Sequence, residues 1–176
     1  MRKLKYLLVI LPLMLWASCS HKFDSNVHSL DFYQWNLWQD TGAEPGDELP
    51  SCGWDNLHRG MGVLVRIPAS PDAHFPDMEE GSVFWYHCRF TLPEQWKGRP
   101  VSLILEGAGP LVKLYLNQEQ VASYLDEEGA FELDVSEVIF YTRDNHLSIR
   151  ISNPREGRPA TIHGITGNIL VKSREN

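Results

Sequence analysis

The chain has 176 residues, of which 16 are basic and 23 acidic, for a net charge of −7. An acidic chain without a Lys/Arg cluster in its body is poorly matched to phosphate backbones, which argues against nucleic acid as a partner. Hydrophobic residues make up 43%, enough for one domain with its own core and no covalent staples.

Arg2, Lys3 and Lys5 precede an apolar run over residues 6–16, followed by Ala17, Ser18 and Cys19. A basic start, an apolar core of about 11 residues and a small-residue end describe a secretory signal, too short for a membrane-spanning helix of about 20 residues. The end resembles a bacterial lipobox, in which Cys19 becomes the lipidated first residue of the mature chain. Trp16 stands where leucine is usual, with Leu15 one place back, and an ordinary cleaved signal with an incidental cysteine is the alternative. Ser20 is compatible with outer-membrane sorting. The expectation is an exported, lipid-anchored protein of the bacterial envelope, touching the membrane only through its anchor. Residues 1–18 are then the signal, 19–29 a polar tether, 30–172 one domain and 173–176 a tail. Removal of the signal leaves 158 residues and takes away three basic side chains, for a net charge of −10.

After the tether, Phe32, Tyr33, Trp35 and Trp38 crowd nine residues and predict an edge segment that packs its rings on the core, with a sugar-stacking platform as the alternative. A Gly/Pro-rich polar segment, 39–53, leads into Leu49-Pro-Ser-Cys-Gly-Trp-Asp-Asn-Leu-His-Arg59, which reads as a loop bringing Trp54, Asp55, Asn56 and His58 together. An indole beside hydrogen-bonding groups is what a polyol site needs, and also what an exposed loop with one anchoring Trp looks like. Residues 61–67 alternate as a strand with Val63, Val65 and Ile67 on one face, stopped by Pro68. The long loop 69–81 carries His74 and the acidic group Asp77, Glu79 and Glu80. Without the ligand ladder of a calcium loop, that group reads as solvated charge.

Residues 84–121 form the centre of the pattern. Tyr86, Cys88, Phe90 and Leu92 face inward on one strand, Val101, Leu103 and Leu105 on a second, and Val112, Leu114 and Leu116 on a third. Asn117-Gln118 sits at the hairpin turn, where Gln is a poor second residue, so a loop longer than two residues is expected. Further strands follow at 121–125, 130–135, 146–153 and 164–171. Short alternating strands with no long helical period predict an all-β sandwich. Export permits a disulfide between Cys52 and Cys88, whereas the inward phase of Cys88 suits a buried free thiol. Neither has a CxxC partner or a nearby histidine, so no metal set and no cofactor are expected.

Trp85-Tyr86, Phe90-Thr91-Leu92-Pro93, Trp96-Lys97-Gly98, Leu105-Glu106-Gly107, Tyr115-Leu116-Asn117, Phe131-Glu132-Leu133-Asp134-Val135 and the strand 147–153 occur in this order. Together they resemble the sugar-binding domain found at the N-terminus of family 2 glycoside hydrolases. Ile67-Pro68-Ala69 and Gly164-Ile165 with Ile169 and Val171 extend the resemblance to about residues 30–171. It implies a galactose-binding-like β-sandwich of jelly-roll type. In that family the catalytic carboxylates come from a following TIM barrel of about 250 residues, which the chain does not have room for after Val171. The sequence holds no G-x-S-x-G, H-E-x-x-H or P-loop, so no catalytic residue is assigned.

The expectation is therefore a non-catalytic carbohydrate-binding or accessory lipoprotein acting in glycan utilisation beside polysaccharide-degrading enzymes. Trp38, Trp54, Asp55, His74 and Arg155 are the candidate sugar contacts. The alternatives are a protein-interaction module that docks on or complements a partner glycoside hydrolase, and a remnant of a longer hydrolase.

Overall fold

The computed structural model describes residues 26–44, 46–78, 81–125, 130–152 and 163–174; Cys19 and Arg155 lie outside them. In chain order the elements are β1 (Val27–Ser29), β2 (Trp35–Gln39), α1 (Trp54–His58), β3 (Val63–Val65), β4 (Val83–Phe90), β5 (Val101–Leu105), β6 (Ala108–Gly109) and β7 (Leu111–Leu116). They continue with β8 (Glu119–Leu125), β9 (Phe131–Asp134), β10 (Asn145–Ser152), β11 (Gly164–Ile165) and β12 (Ile169–Ser173). Two antiparallel sheets result, one of four strands in the order β1-β12-β5-β9 and one of six in the order β3-β2-β4-β10-β7-β8. The short pair β11-β6 forms a third, two-stranded ladder. This is the all-β sandwich that the alternating runs predict.

Strand alternation sends every second side chain of the large sheet inward. Phe84, Tyr86, Cys88 and Phe90 of β4, Val112, Leu114 and Leu116 of β7 and Leu147, Ile149 and Ile151 of β10 meet Val101, Leu103, Leu105, Ile169 and Val171 of the small sheet. Burying an aliphatic or aromatic side chain of this kind stabilises by about 1.5–3 kcal/mol relative to leaving it exposed, so the inter-sheet layer is the main source of stability.

Several local expectations are corrected. Residues 27–29, read as tether, form β1 and pair with β12, so the small sheet begins before the expected domain boundary, and Ser173, read as tail, ends β12. The aromatic segment is not an edge: β2 lies between β3 and β4, and Trp35 is fully buried with its indole N–H donating to the Leu30 carbonyl. The edge is β3, shorter than the alternation suggests, with Val63 exposed and Val65 buried. Residues 54–58 are a helical turn rather than loop.

The β7–β8 hairpin closes in two residues after all. Both Asn117 (φ 55°) and Gln118 (φ 76°) adopt the left-handed conformation of the tight hairpin turn. What compensates the unfavourable Gln is the Asn117 side chain, which donates to the Val138 carbonyl (2.7 Å) and Asn145 Oδ1 (3.0 Å) and accepts from the His146 amide (3.0 Å).

Cys52 and Cys88 are both free thiols. Cys88 points into the inter-sheet core and Cys52 packs on the opposite face of the large sheet, so the sheet itself separates them. Burial pushes the Cys88 thiol up to about 12.

Candidate functional site

The large sheet is also covered on its outer face. Val83 and Trp85 of β4 and Tyr115 of β7 point away from the inter-sheet core, and Leu57 of α1 seats among them. The segment between β2 and β3 is drawn across this face by three fastenings. Asp40, almost fully buried, accepts from the Trp85 indole N–H (3.1 Å), the Ser51 amide (2.9 Å), the Gly42 amide (3.3 Å) and the Ser51 hydroxyl. Tyr115 Oη donates to the Glu48 carbonyl (2.7 Å), and Asn36 Nδ2 to the Gly60 carbonyl (3.2 Å). Where the segment rejoins the sheet, Gly62 (φ 96°) runs so close to β2 that a Cβ there would overlap the Leu37 carbonyl.

The same geometry gathers three histidines. In the β4–β10 ladder His87 lies opposite Ser148 and His146 opposite Arg89, so the two histidines are diagonal neighbours on the outer face. His58, at the end of α1, lies against both. Its ring centroid is 4.2 Å from that of His146 and 5.0 Å from that of His87, with the planes nearly parallel. His87 Nε2 and His146 Nδ1 share a hydrogen bond of 3.1 Å. His87 is 97% buried, and among the described residues neither its Nδ1 nor His58 Nε2 has a hydrogen-bond partner.

All three rings are harder to protonate than a free imidazole. Burial is the largest cause at each. His58 falls to about 4, with His146 adding repulsion and Asp55 partly opposing it; His87 falls to about 3, with His58, His146 and Arg89 adding repulsion. His146 is also lowered, with Asp144 opposing the shift and Arg89 adding to it. At neutral pH the cluster is therefore three neutral imidazoles.

A groove opens on each side of His58. One, of about 590 Å³, is bordered by Tyr33, Asn36, Arg59, Gly62, His87 and Arg89; the other, of about 530 Å³, by Asn117, Phe140, Arg143, Asp144 and His146. Arg143 stacks on the Phe140 ring at 3.5 Å, and Arg89 pairs with Asp144 at 3.6 Å. A larger depression of about 740 Å³ lies elsewhere, along β8 and β9. Several of its polar groups are already committed internally: Tyr141 Oη donates to the Arg99 carbonyl (2.6 Å) and Asp134 accepts from the Ser136 amide and hydroxyl.

The sequence-chosen residues distribute unequally around this site. Trp54 sits on α1, half-buried, edge-on to Trp85 (5.6 Å) and tilted against Tyr115 (5.2 Å) and His58 (5.7 Å). Asp55 follows it, exposed. Trp38 is half-buried against the same outer cluster. His74 is elsewhere: it closes the 3-10 turn Pro71–Ala73, next to Phe75, which packs on Phe84 of the inter-sheet core. His87 and His146 escaped the sequence reading because they are 59 residues apart and only the strand register makes them neighbours. Their phase, opposite to the inward Tyr86 and Leu147, was the one available signal.

No protein-family model matches the chain. A β-galactosidase of Thermoanaerobacter pseudethanolicus is 29% identical over 95 residues, which is 51% of this chain and 13% of that protein. Among solved structures, a glycosyl hydrolase family 2 member from Bacteroides cellulosilyticus superposes with a TM-score of 0.65 at 20% identity over 84% of this chain and 20% of its own. A β-glucuronidase of Ruminococcus gnavus gives a TM-score of 0.64 at 21% identity over 84% of this chain and 28% of its own. The fold is that of a domain of family 2 glycosyl hydrolases. The chain spans less than a third of each of these three relatives, and the resemblance drawn from its ordered strand motifs holds at the level of fold.

Proposed function

We propose that the chain is a non-catalytic carbohydrate-binding accessory domain, exported and held at a bacterial envelope through lipidated Cys19, that presents glycan to hydrolases. The observation that carries this reading is α1. It carries the partly exposed Trp54 ring with exposed Asp55 and Asn56 beside it, and His58 at its end and Arg59 just after it line a groove with further polar walls. An apolar ring face flanked by forked hydrogen-bonding groups suits a sugar, whose axial C–H face stacks while its hydroxyls pair. The non-catalytic part is supported by the limited share of each hydrolase that the chain matches. A glycan array followed by calorimetry tests the reading. Binding to at least one oligosaccharide, weakened at least tenfold by Trp54→Ala, is expected. Silence across plant, host and microbial glycans overturns it, and turnover of a nitrophenyl glycoside by the purified chain overturns the non-catalytic part.

A second reading, docking onto a partner glycoside hydrolase, is favoured by one specific feature. Edge strand β3 exposes Val63 and Leu64, the latter 61% accessible, with Met61 just before them. An apolar, unpaired sheet edge is a template for association. Val63→Glu, on the same edge but outside the lining of the groove, would abolish co-elution with a purified partner hydrolase while leaving glycan binding intact.

A further inference from the structure

We propose that His58, His87 and His146 form a binding site for a divalent transition metal of the zinc class, which fastens α1 to the outer face of the large sheet. The three side chains come from three separate elements, and one ligand atom from each lies within 4.8 Å of the others. Imidazole nitrogen suits Zn²⁺, Ni²⁺ and Cu²⁺, and three protein ligands with an open fourth position are a recurrent zinc arrangement. The buried, unpartnered Nδ1 of His87 is the second observation. A buried polar atom without a partner costs stability, and a bound cation would satisfy it.

The metal-free geometry also says what must move. Zinc–nitrogen bonds of about 2.0–2.1 Å at tetrahedral angles put ligand nitrogens about 3.4 Å apart, closer than the present spread. Nitrogen lone pairs lie in the ring planes, and the rings are now stacked with interplanar angles of 12–21°. Ligation therefore requires His58 and His146, both half-buried, to turn out of the stack around the fixed His87. The open fourth position is left for water or a ligand oxygen.

The test uses the untagged, exported chain, stripped with a chelator. Zn²⁺ titration at pH 7 should show saturable binding of one ion per chain and raise Tm, reversibly on adding chelator. Cu²⁺ should quench Trp54 fluorescence with the same stoichiometry, since that ring is 5.7 Å from His58. His58→Gln, on the surface helix where folding is least at risk, should weaken Zn²⁺ binding at least tenfold, as should His146→Gln, with folding checked by circular dichroism. His74→Gln and His163→Gln, both exposed, should change nothing. Absence of saturable one-to-one binding, or an affinity unchanged by His58→Gln, overturns the proposal. Glycan binding is read separately, so its failure leaves this result standing.

Discussion

The two faces of the six-stranded sheet are both buried, but by different chemistry. The inner face is a continuous apolar layer closed by the small sheet. The outer face mixes a small aromatic cluster with His87, Ser148, Arg150 and Ser152, all buried beneath the segment between β2 and β3. Arg150 is completely buried; its Nη1 donates to Ser152 Oγ (2.8 Å), while among the described residues Nε and Nη2 have no hydrogen-bond partner. Buried polar and charged groups cost stability unless fully paired. The inner face therefore stabilises the fold, and the outer face draws on that stability to hold groups that could bind something.

This contrast can be broken experimentally. The largest effect is expected on the inner side: Trp35→Ala should cost about 3–5 kcal/mol in chemical denaturation, and a loss below about 1 kcal/mol would contradict the assignment of this layer as the source of stability. Next comes the anchor of the outer cover. Asp40→Ala strands the Trp85 and Ser51 donors and should cost about 1–3 kcal/mol, with faster proteolysis of the segment 40–60 as a second readout.

A smaller, graded effect follows from pH in the metal-free chain. Each histidine of the cluster titrates near 6.5 when unfolded and lower in the fold, to about 4 at His58 and about 3 at His87. Between those values the unfolded chain binds more protons, so stability rises with pH. The contribution of the cluster is fully present above about 6.5 and is lost as pH falls through about 4 at His58 and about 3 at His87. His58→Gln should flatten the slope between pH 6.5 and 4.5; an unchanged slope would show that the cluster does not carry it. The smallest change is expected at Arg150→Met, which removes an incompletely paired buried charge at similar volume and should be neutral or slightly stabilising. A loss above about 2 kcal/mol would mean that Asp40, Asp47 and Glu48, which favour the charge, outweigh the cost of burying it.

Inner and outer faces also differ in how far they could be read from the residues alone. The inner faces of β4, β5, β7 and β10 were legible because alternation repeats over five to eight residues and turn residues bound each run. The outer cover was not. Its helix has five residues, no side-chain cap, and begins after Gly53 at φ 77°, so neither periodicity nor a capping signature announces it. Trp54 and Asp55 were singled out because they are adjacent. His87 and His146 were not, because the cluster exists only once strand register and the fold of the 40–60 segment are both set. The turn was placed correctly at Asn117-Gln118 but expected to be longer than two residues, since the bonds that hold it tight reach Val138 and Asn145.

The separation of the two thiols by a sheet makes the protein an instrument for watching its own cover. Cys52, half-exposed and one residue from α1, has its thiol pushed up by burial and by Asp40, so it reacts slowly. Cys88 is sealed in the core. A maleimide dye should therefore mark Cys52 and spare Cys88, placing a reporter beside the helix that Leu57 seats on the outer face.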